Sequence, residues 1–482
     1  MNRQKIVIHL DELSIKGNGG NYLVVNTIPN IDSWRFSHET AMRLCDERAT
    51  VKFLDLSFLD PSTNFFYLIR KIIRNNLQTR NYERRILDEL RVAPIEICKV
   101  GIFQKIRYFL DLSGVSNQLK AKPVISVENE IAIKSWLAVS SGSTHYKWDV
   151  RTRVNLFRAN RSIKWTNKIL DIYAFDSSLE GIFTFNGRFP VDSTLLSRAK
   201  VSNTQTILFD GGSLANNNRN RIQYFYTSPH NPTEIRLKIQ EYWESANATN
   251  RHLIATNYLN DISEGKRSLG TTFNWNPNST KSMINARNSV VFFASSDWEQ
   301  GAIMKWLPST GFRNQFEVVD ALLDICSDLE IDLLIKLHPI RKNFKGQKSI
   351  KAEEEAWKSY SNLSRVQIIS ETEKVNPSGL VADSLINVGF RTSITAQSIY
   401  LGRNTAICAH VPWVSDDVNF LYTPDKESLK TAIERAVDDK QKLEDSSSLN
   451  QWGYYQAVCG SEMKFSEIRS GQFRILKHFL SS

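Results

Sequence analysis

Between Ile331 and Gly402 short apolar runs alternate with helical ones, and this alternation restricts the fold more than any other feature of the chain. IDLLIKLHP reads as a strand closed by His338-Pro339. A charged helix is expected around Ala352–Ser361, then strands at Val366–Ile369 and Ser384–Val388. Gly389-Phe-Arg-Thr-Ser393 turns the last of these into a helix, Ile394–Leu401, and a further strand, Thr405–Cys408, follows Gly402. Such alternation builds βαβ units and a parallel sheet. Ligands of these sheets bind beyond the carboxyl ends of the strands. His338 and Arg391-Thr392-Ser393 both fall at carboxyl ends, so they are expected at one crevice.

That crevice suits a phosphate. Thr392 and Ser393 stand where a helix begins, and a first helical turn offers free N–H groups and the positive end of a dipole. Arg391 can contact a phosphoryl oxygen with two donors. His338 can donate to an oxygen or protonate a leaving group. Gly389 allows a tight turn. Taken singly, each turn is as well explained by a helix cap or a strand-end histidine. Their shared sheet edge favours phosphate or nucleotide binding.

The same pattern runs through the rest of the chain, which at 482 residues has room for two domains or more. Strands are expected at Lys5–Leu10, Val51–Leu56, Gly181–Phe185, Thr206–Phe209 and Ser289–Ala294, with helices at Phe36–Arg48, Glu234–Glu244, Gln315–Leu329 and Asp425–Asp439. Polar turns again follow strands: Asn186-Gly-Arg188 and Asp210-Gly-Gly212. Arg188 could hold an anion. Asp210 could act as a general base, although Asp-Gly is also a plain turn signal. The loop Asp11–Gly20 is glycine-rich but matches neither GxGxxG nor GxxxxGK[ST]. Residues 276–288 are polar and without periodicity, as an interdomain linker would be. The expectation is an α/β chain with two Rossmann-like domains facing a cleft: 1–275, then the linker 276–288, then 289–455, and a C-terminal helix over 456–482 packing back on the first domain.

Five scattered cysteines without a CxxC pair argue against a disulfide framework or zinc site and fit a reducing cytoplasm. No apolar run reaches membrane-spanning length. The net charge of +10 permits an anionic partner. Basic residues interleave with apolar ones in three stretches: Phe65–Arg85, with six Arg or Lys and one acid, Phe103–Phe109 and Lys147–Lys168. A core helix with a solvated basic edge explains them, and so does peripheral contact with an anionic membrane, here the inner face of a cell membrane. No nucleic-acid-binding motif accompanies the charge, so no nucleic-acid partner is expected.

Several of these residues resemble those of bacterial capsule and surface-polysaccharide glycosyltransferases of the GT-B fold. Lys336-Leu-His-Pro339 is similar to the HP motif of bacterial sialyltransferases and related Kdo transferases. Asp383–Ser393 is similar to the Ser/Thr turn before their nucleotide-phosphate helix. Phe292-Phe-Ala-Ser-Ser-Asp-Trp-Glu299 and Asn186-Gly-Arg188 add weaker matches. The resemblance covers roughly 289–413 and implies a nucleotide-sugar donor in the C-terminal domain and a glycan or lipid-linked acceptor in the N-terminal one. It places Ser295, Ser296, Glu299, Lys336, His338, Arg391, Thr392 and Ser393 around the donor. It places Asn186, Arg188 and Glu12 on the acceptor side. Asp210 and His338 are the catalytic candidates, and Asp11 and Glu12 are alternatives as base. Two departures stand out: Gln397 replaces a glutamate common in relatives, and Arg391 replaces a small residue. No DxD motif occurs, so metal-independent transfer without a cofactor is expected.

Two other enzyme readings share such a fold: a sugar-nucleotide epimerase and a polyol-phosphate transferase. A non-catalytic glycan-assembly protein that keeps the fold is the reading from another class.

Overall fold

A computed structural model describes residues 20–63, 81–112, 130–141, 148–173, 178–212, 220–264, 286–296, 311–338, 351–371, 373, 375–414, 421–438, 447–469 and 472–476. Outside these lie the expected strand Lys5–Leu10, Asp11, Glu12, most of the basic stretch 65–85, most of the linker, Glu299 and Pro339. The chain forms two compact units. Unit 1 comprises Met1–Ser140, Trp148–Pro229 and Val458–Ser482; unit 2 comprises Ser141–Lys147 and His230–Ala457.

Among the described residues, the sheet of unit 1 has seven strands: β1 (Asn21–Asn26), β2 (Thr50–Asp55), β3 (Ile95–Cys98), β4 (Gly181–Phe185), β5 (Gln205–Gly211), β6 (Arg221–Phe225) and β12 (Ser461–Glu462). They are ordered β12-β6-β5-β4-β1-β2-β3. β1 to β5 are parallel, while β6 and β12 add antiparallel at one edge. β1 and β4 are buried almost throughout, as strands covered on both faces must be. The helix Ile31–Asp46 supplies one cover, burying every residue from Ser33 to Cys45. It starts ahead of the expected Phe36 because Asn30 Oδ1 accepts from Ser33 N at 2.7 Å, a side-chain N-cap.

Among its described residues unit 2 has five strands, all parallel: β7 (Ser289–Phe293), β8 (Asp332–Lys336), β9 (Val366–Ile369), β10 (Ile386–Gly389) and β11 (Thr405–Ile407). Their order is β11-β10-β7-β8-β9. One core layer contains Val290, Phe292, Leu333, Ile335, Ile386 and Val388. The helices Gln315–Asp328 and Lys426–Val437 contribute Leu322, Ile325, Leu429 and Ile433 to the same layer.

Both units therefore share one connectivity. Among the described residues, each unit's first strand is central, the next two add to one side of it, and the following two add to the other. This is the Rossmann order 3-2-1-4-5, and the molecule is an α/β protein with two Rossmann-like domains. In each, connectivity reverses between the first and fourth strands: β1 and β4 in unit 1, β7 and β10 in unit 2.

Three expectations are corrected. First, a strand at Asn21–Asn26 was not among those expected, and it is the centre of the unit 1 sheet. Second, the helices Pro232–Ser245 and Ala248–Ser263 fall in unit 2, not with the N-terminal domain. Aromatic contacts hold them there: Tyr242 meets Tyr455, Trp243 meets Tyr454, and Tyr258 meets Trp452 on the helix Ser447–Val458. Third, beyond Val458 the described residues of the C-terminal segment form strands where a helix was expected. They form β12 and the antiparallel pair β13 (Ser466–Arg469) and β14 (Gln472–Ile475). The segment's apolar residues Phe465, Ile468, Ile475 and Leu476 are compatible with either period, and the antiparallel edge of β6 supplies a partner that a helix could not use.

Candidate functional site

In unit 1 the switch point is lined by Asn26 and Asn186. Asn26, fully buried, donates Nδ2 to Asp55 Oδ1 at 3.0 Å and accepts from Ser33 Oγ at 2.7 Å. It thereby ties the ends of β1 and β2 to the start of the helix Ile31–Asp46. Asn186 follows β4 in a left-handed conformation (φ 56°), and Gly187 continues the turn at φ 79°. Asparagine and glycine tolerate that region best.

This turn aims Asn186 at the neighbouring strand. Its Nδ2 donates to Asp210 Oδ2 at 2.7 Å, across 24 residues of sequence. The other carboxylate oxygen, Oδ1, accepts from Gly211 N at 2.7 Å. Burial pushes the Asp210 pKa up; the Gly211 N–H, the Arg188 charge and the Asn186 amide oppose the rise, and Asp32 adds to it. Two acceptor-side candidates and one catalytic candidate, Asn186, Arg188 and Asp210, thus meet at one sheet edge. The glycines after Asp210 do not set it in an open turn. Asp210 and Gly211 end β5, paired with Gln223 and Ile222 of β6, and Gly212 lies against Arg221 and Cys459. Asp32 and Asn26 belong to the same edge but carry no motif that would single them out.

In unit 2 the switch point is bridged directly. Ser295 Oγ, beyond β7, donates to Phe390 O, beyond β10. Ser295 N donates to Gln315 Oε1 at 2.9 Å. Ser296 is 3 % exposed, and its Oγ has no hydrogen-bond partner among the described residues; the same holds for Gln315 Nε2. Buried polar atoms are nearly always paired, so two orphans at a switch point mark a place built for further donors and acceptors.

Arg391 completes this edge. It takes a left-handed backbone (φ 57°), which an arginine adopts only at a cost. Its guanidinium lies 5.1 Å from the Phe390 ring centroid. Burial lowers its pKa to about 10, with Tyr422 opposing, so it remains cationic at neutral pH. Gly389 is required by packing, because a Cβ there would come within 2.5 Å of Thr392 Cγ2.

The other candidates divide. Thr392 O accepts from Thr395 N at 3.2 Å and from Thr395 Oγ1 at 2.8 Å. Ser393 is the N-cap of the helix Ile394–Tyr400, and its side chain makes no capping bond. His338 is half-buried beyond β8. Lys336 turns away from the switch point: its Nζ donates to Ser370 O at 2.7 Å, and burial lowers its pKa against the pull of Glu373 and Glu371. Gln397 is also engaged, donating to Ser378 Oγ at 2.7 Å. One residue with no motif to mark it is His410, beyond β11, whose Nε2 lies 3.0 Å from Tyr422 Oη. Among the described residues no helix is long and apolar enough to cross a membrane.

No family model and no curated protein matches the chain. Solved structures resemble it distantly. The KpsC β-Kdo 2,4-transferase of Thermosulfurimonas dismutans is 10% identical over 58% of this chain and 79% of that one, with a TM-score of 0.40. A putative UDP-N-acetylglucosamine 2-epimerase from Listeria monocytogenes is 10% identical over 93% of each chain, with a TM-score of 0.27. MurG of Acinetobacter baumannii is 9% identical over 91% of this chain and 94% of that one, with a TM-score of 0.20.

Proposed function

We propose that this chain is a metal-independent glycosyltransferase of the GT-B type that moves a sugar from a nucleotide-sugar donor onto a bacterial surface glycan. The observation that carries this reading is the unit 2 switch point, where buried Ser296 Oγ has no partner among the described residues, beside the Ser295–Phe390 bridge and cationic Arg391. A serine hydroxyl and a guanidinium at such a point suit a phosphate. His338, Thr392 and Ser393 belong to the same donor site. Asn186, Arg188 and Asp210 belong to the acceptor side.

In this scheme the acceptor hydroxyl oxygen bonds to the anomeric carbon as that carbon's bond to the nucleotide phosphate breaks. The hydroxyl proton passes to Asp210, whose burial suits a base by raising its proton affinity. The phosphate leaves with the electron pair, stabilised by Arg391 and His338.

A thermal-shift screen against CMP, CDP, UDP, GDP and dTDP tests the donor site. One nucleotide should raise the melting temperature by mass action, and Ser296→Ala with Arg391→Ala should abolish the rise. No shift with any of the five, in folded protein, would remove the nucleotide-sugar reading. Products of the responding nucleotide's sugar then separate transfer from epimerisation, and binding without turnover would leave a non-catalytic assembly role.

A further inference from the structure

The helix Ile102–Leu110 follows β3 in unit 1 and carries two basic residues, Lys105 and Arg107, and no acid. Its inner side is fixed by Tyr108, which is fully buried and reaches Leu59 O at 3.2 Å, and by buried Phe109. Its outer side is apolar where solvent would ordinarily demand polarity. Phe103 is 78% exposed and Leu110 64%. They fall on one face with Arg107, at positions i, i+7 and i+4. Leu112, just beyond the helix, is 66% exposed. Single exposed apolar residues are ordinary, but several crowded on one element mark an interaction surface.

The neighbouring helix, Val150–Tyr173, packs alongside. Arg161 lies over the Tyr108 ring at 4.5 Å, and Tyr173 Oη donates to Gln104 Oε1 at 3.3 Å. It exposes Lys164 and Lys168 on the stripe next to the first helix. Lys164 pairs with Asp111 at 2.9 Å, and Lys168 lies 4.7 Å from the Trp165 ring centroid. The one acid of the long helix, Asp171, is bonded to Arg198. The result is an apolar row edged by cations.

We infer that the face formed by Phe103, Arg107, Leu110, Leu112, Lys164 and Lys168 binds an anionic lipid bilayer surface. The mixture is what distinguishes this occupant. An apolar protein interface needs no cationic edge, and a nucleic acid could stack a base on the phenylalanine but offers the two leucines no apolar layer to enter. A bilayer interface takes both, with apolar side chains seated at the headgroup boundary and cations on acidic headgroups. The position also fits. The helix begins only a few residues after β3, at the carboxyl edge where Asp210 ends β5. β3 and β5 are four strand spacings apart, about 19 Å at the usual separation of strands. The fit of position rests on the transferase reading; the composition of the surface does not.

The test is co-sedimentation of the full chain with vesicles of phosphatidylglycerol and phosphatidylcholine, against vesicles of phosphatidylcholine alone. The wild type should pellet with the anionic vesicles, less so at high salt, and not with the neutral ones. Phe103→Ser with Leu110→Ser should weaken partitioning about tenfold or more with an unchanged melting temperature, since neither side chain is buried. Arg107→Gln with Lys168→Gln should weaken it and flatten its salt dependence. Absence of wild-type binding would overturn the inference, as would serine variants that bind unaltered. Self-association in analytical ultracentrifugation that the serine variants abolish, without vesicle binding, would overturn it in favour of a second copy. None of these outcomes depends on nucleotide-sugar turnover.

Discussion

Asn186 donates its side-chain amide to Asp210 at 2.7 Å, reaching from the end of β4 to the end of β5 out of a left-handed backbone. The bond stabilises the ionised carboxylate, opposing the burial that favours its protonated form. If Asp210 is the base, Asp210→Asn should lower kcat by roughly 10²–10⁴-fold while leaving nucleotide binding intact. Asn186→Ala tests the pairing separately. A base must be deprotonated to work, so activity rises as pH climbs through its pKa. Loss of the amide donor raises that pKa further, and the acid limb of the kcat/KM profile should move to higher pH. An Asn186→Ala profile that falls uniformly, without moving, would reduce the residue to a structural turn.

Arg391 separates stability from binding. Its left-handed conformation costs an arginine about 1–2 kcal/mol, a penalty glycine escapes. The side chain nonetheless sits beside Phe390 at the switch point of unit 2. Arg391→Gly should therefore hold or raise the melting temperature and abolish the nucleotide-induced shift. A variant that loses stability and keeps the shift would show that the guanidinium serves packing alone.

The C-terminal segment is latched to the helix Ile31–Asp46 by hydrogen bonds to a buried ion pair, Glu39–Arg43. Glu39 is 0% exposed and accepts from Lys464 N at 2.7 Å, from Phe465 N at 3.0 Å and from Arg43 Nε at 2.7 Å. Arg43 also donates to Glu462 O. Removing Glu39 takes away the buried carboxylate that these three donors share. Glu39→Ala should cost about 3–5 kcal/mol by urea unfolding, and amide exchange at Lys464 and Phe465 should accelerate before that of β1. Equal protection of those amides in the variant would mean that pairing of β12 with β6 holds the segment unaided.

Legibility in the sequence tracked how local each signal was. The five strands of unit 2 are short apolar runs with polar ends, and each can be placed from its own residues. The same holds for β4, β5 and the turn after each. The centre of the unit 1 sheet was harder: NYLVVN lies behind a glycine-rich stretch and carries asparagine at both ends. The C-terminal strands were hidden because their apolar spacing suits two periods, and only the edge of β6, more than 230 residues away, decides between them. The candidate site followed the same rule. Asn186, Asp210 and Arg391 are visible as polar residues after strands. That Asn186 touches Asp210, that Lys336 is spent on Ser370, and that Gln397 is held by Ser378 depend on strand order and helix packing, which no single stretch encodes.

His38 shows the same dependence on tertiary context and yields a pH prediction. It lies in the helix Ile31–Asp46, fully buried, with neither ring nitrogen hydrogen-bonded among the described residues. Burial lowers its pKa to about 3 from 6.5. The folded protein keeps the ring neutral, whereas the unfolded chain binds a proton as pH falls through 6.5. Stability should thus be constant with respect to this group above neutrality and decline by about 1.4 kcal/mol per pH unit between 6.5 and 3. His38→Leu removes the titration and the unpaired nitrogens while keeping an apolar side chain between Trp34 and Met42 on the helix. Its urea midpoint should match or exceed that of the wild type at pH 7.5, and the gap should widen in its favour at pH 5. Parallel pH dependences in the two proteins would show that His38 is protonated, or solvated, in the folded state.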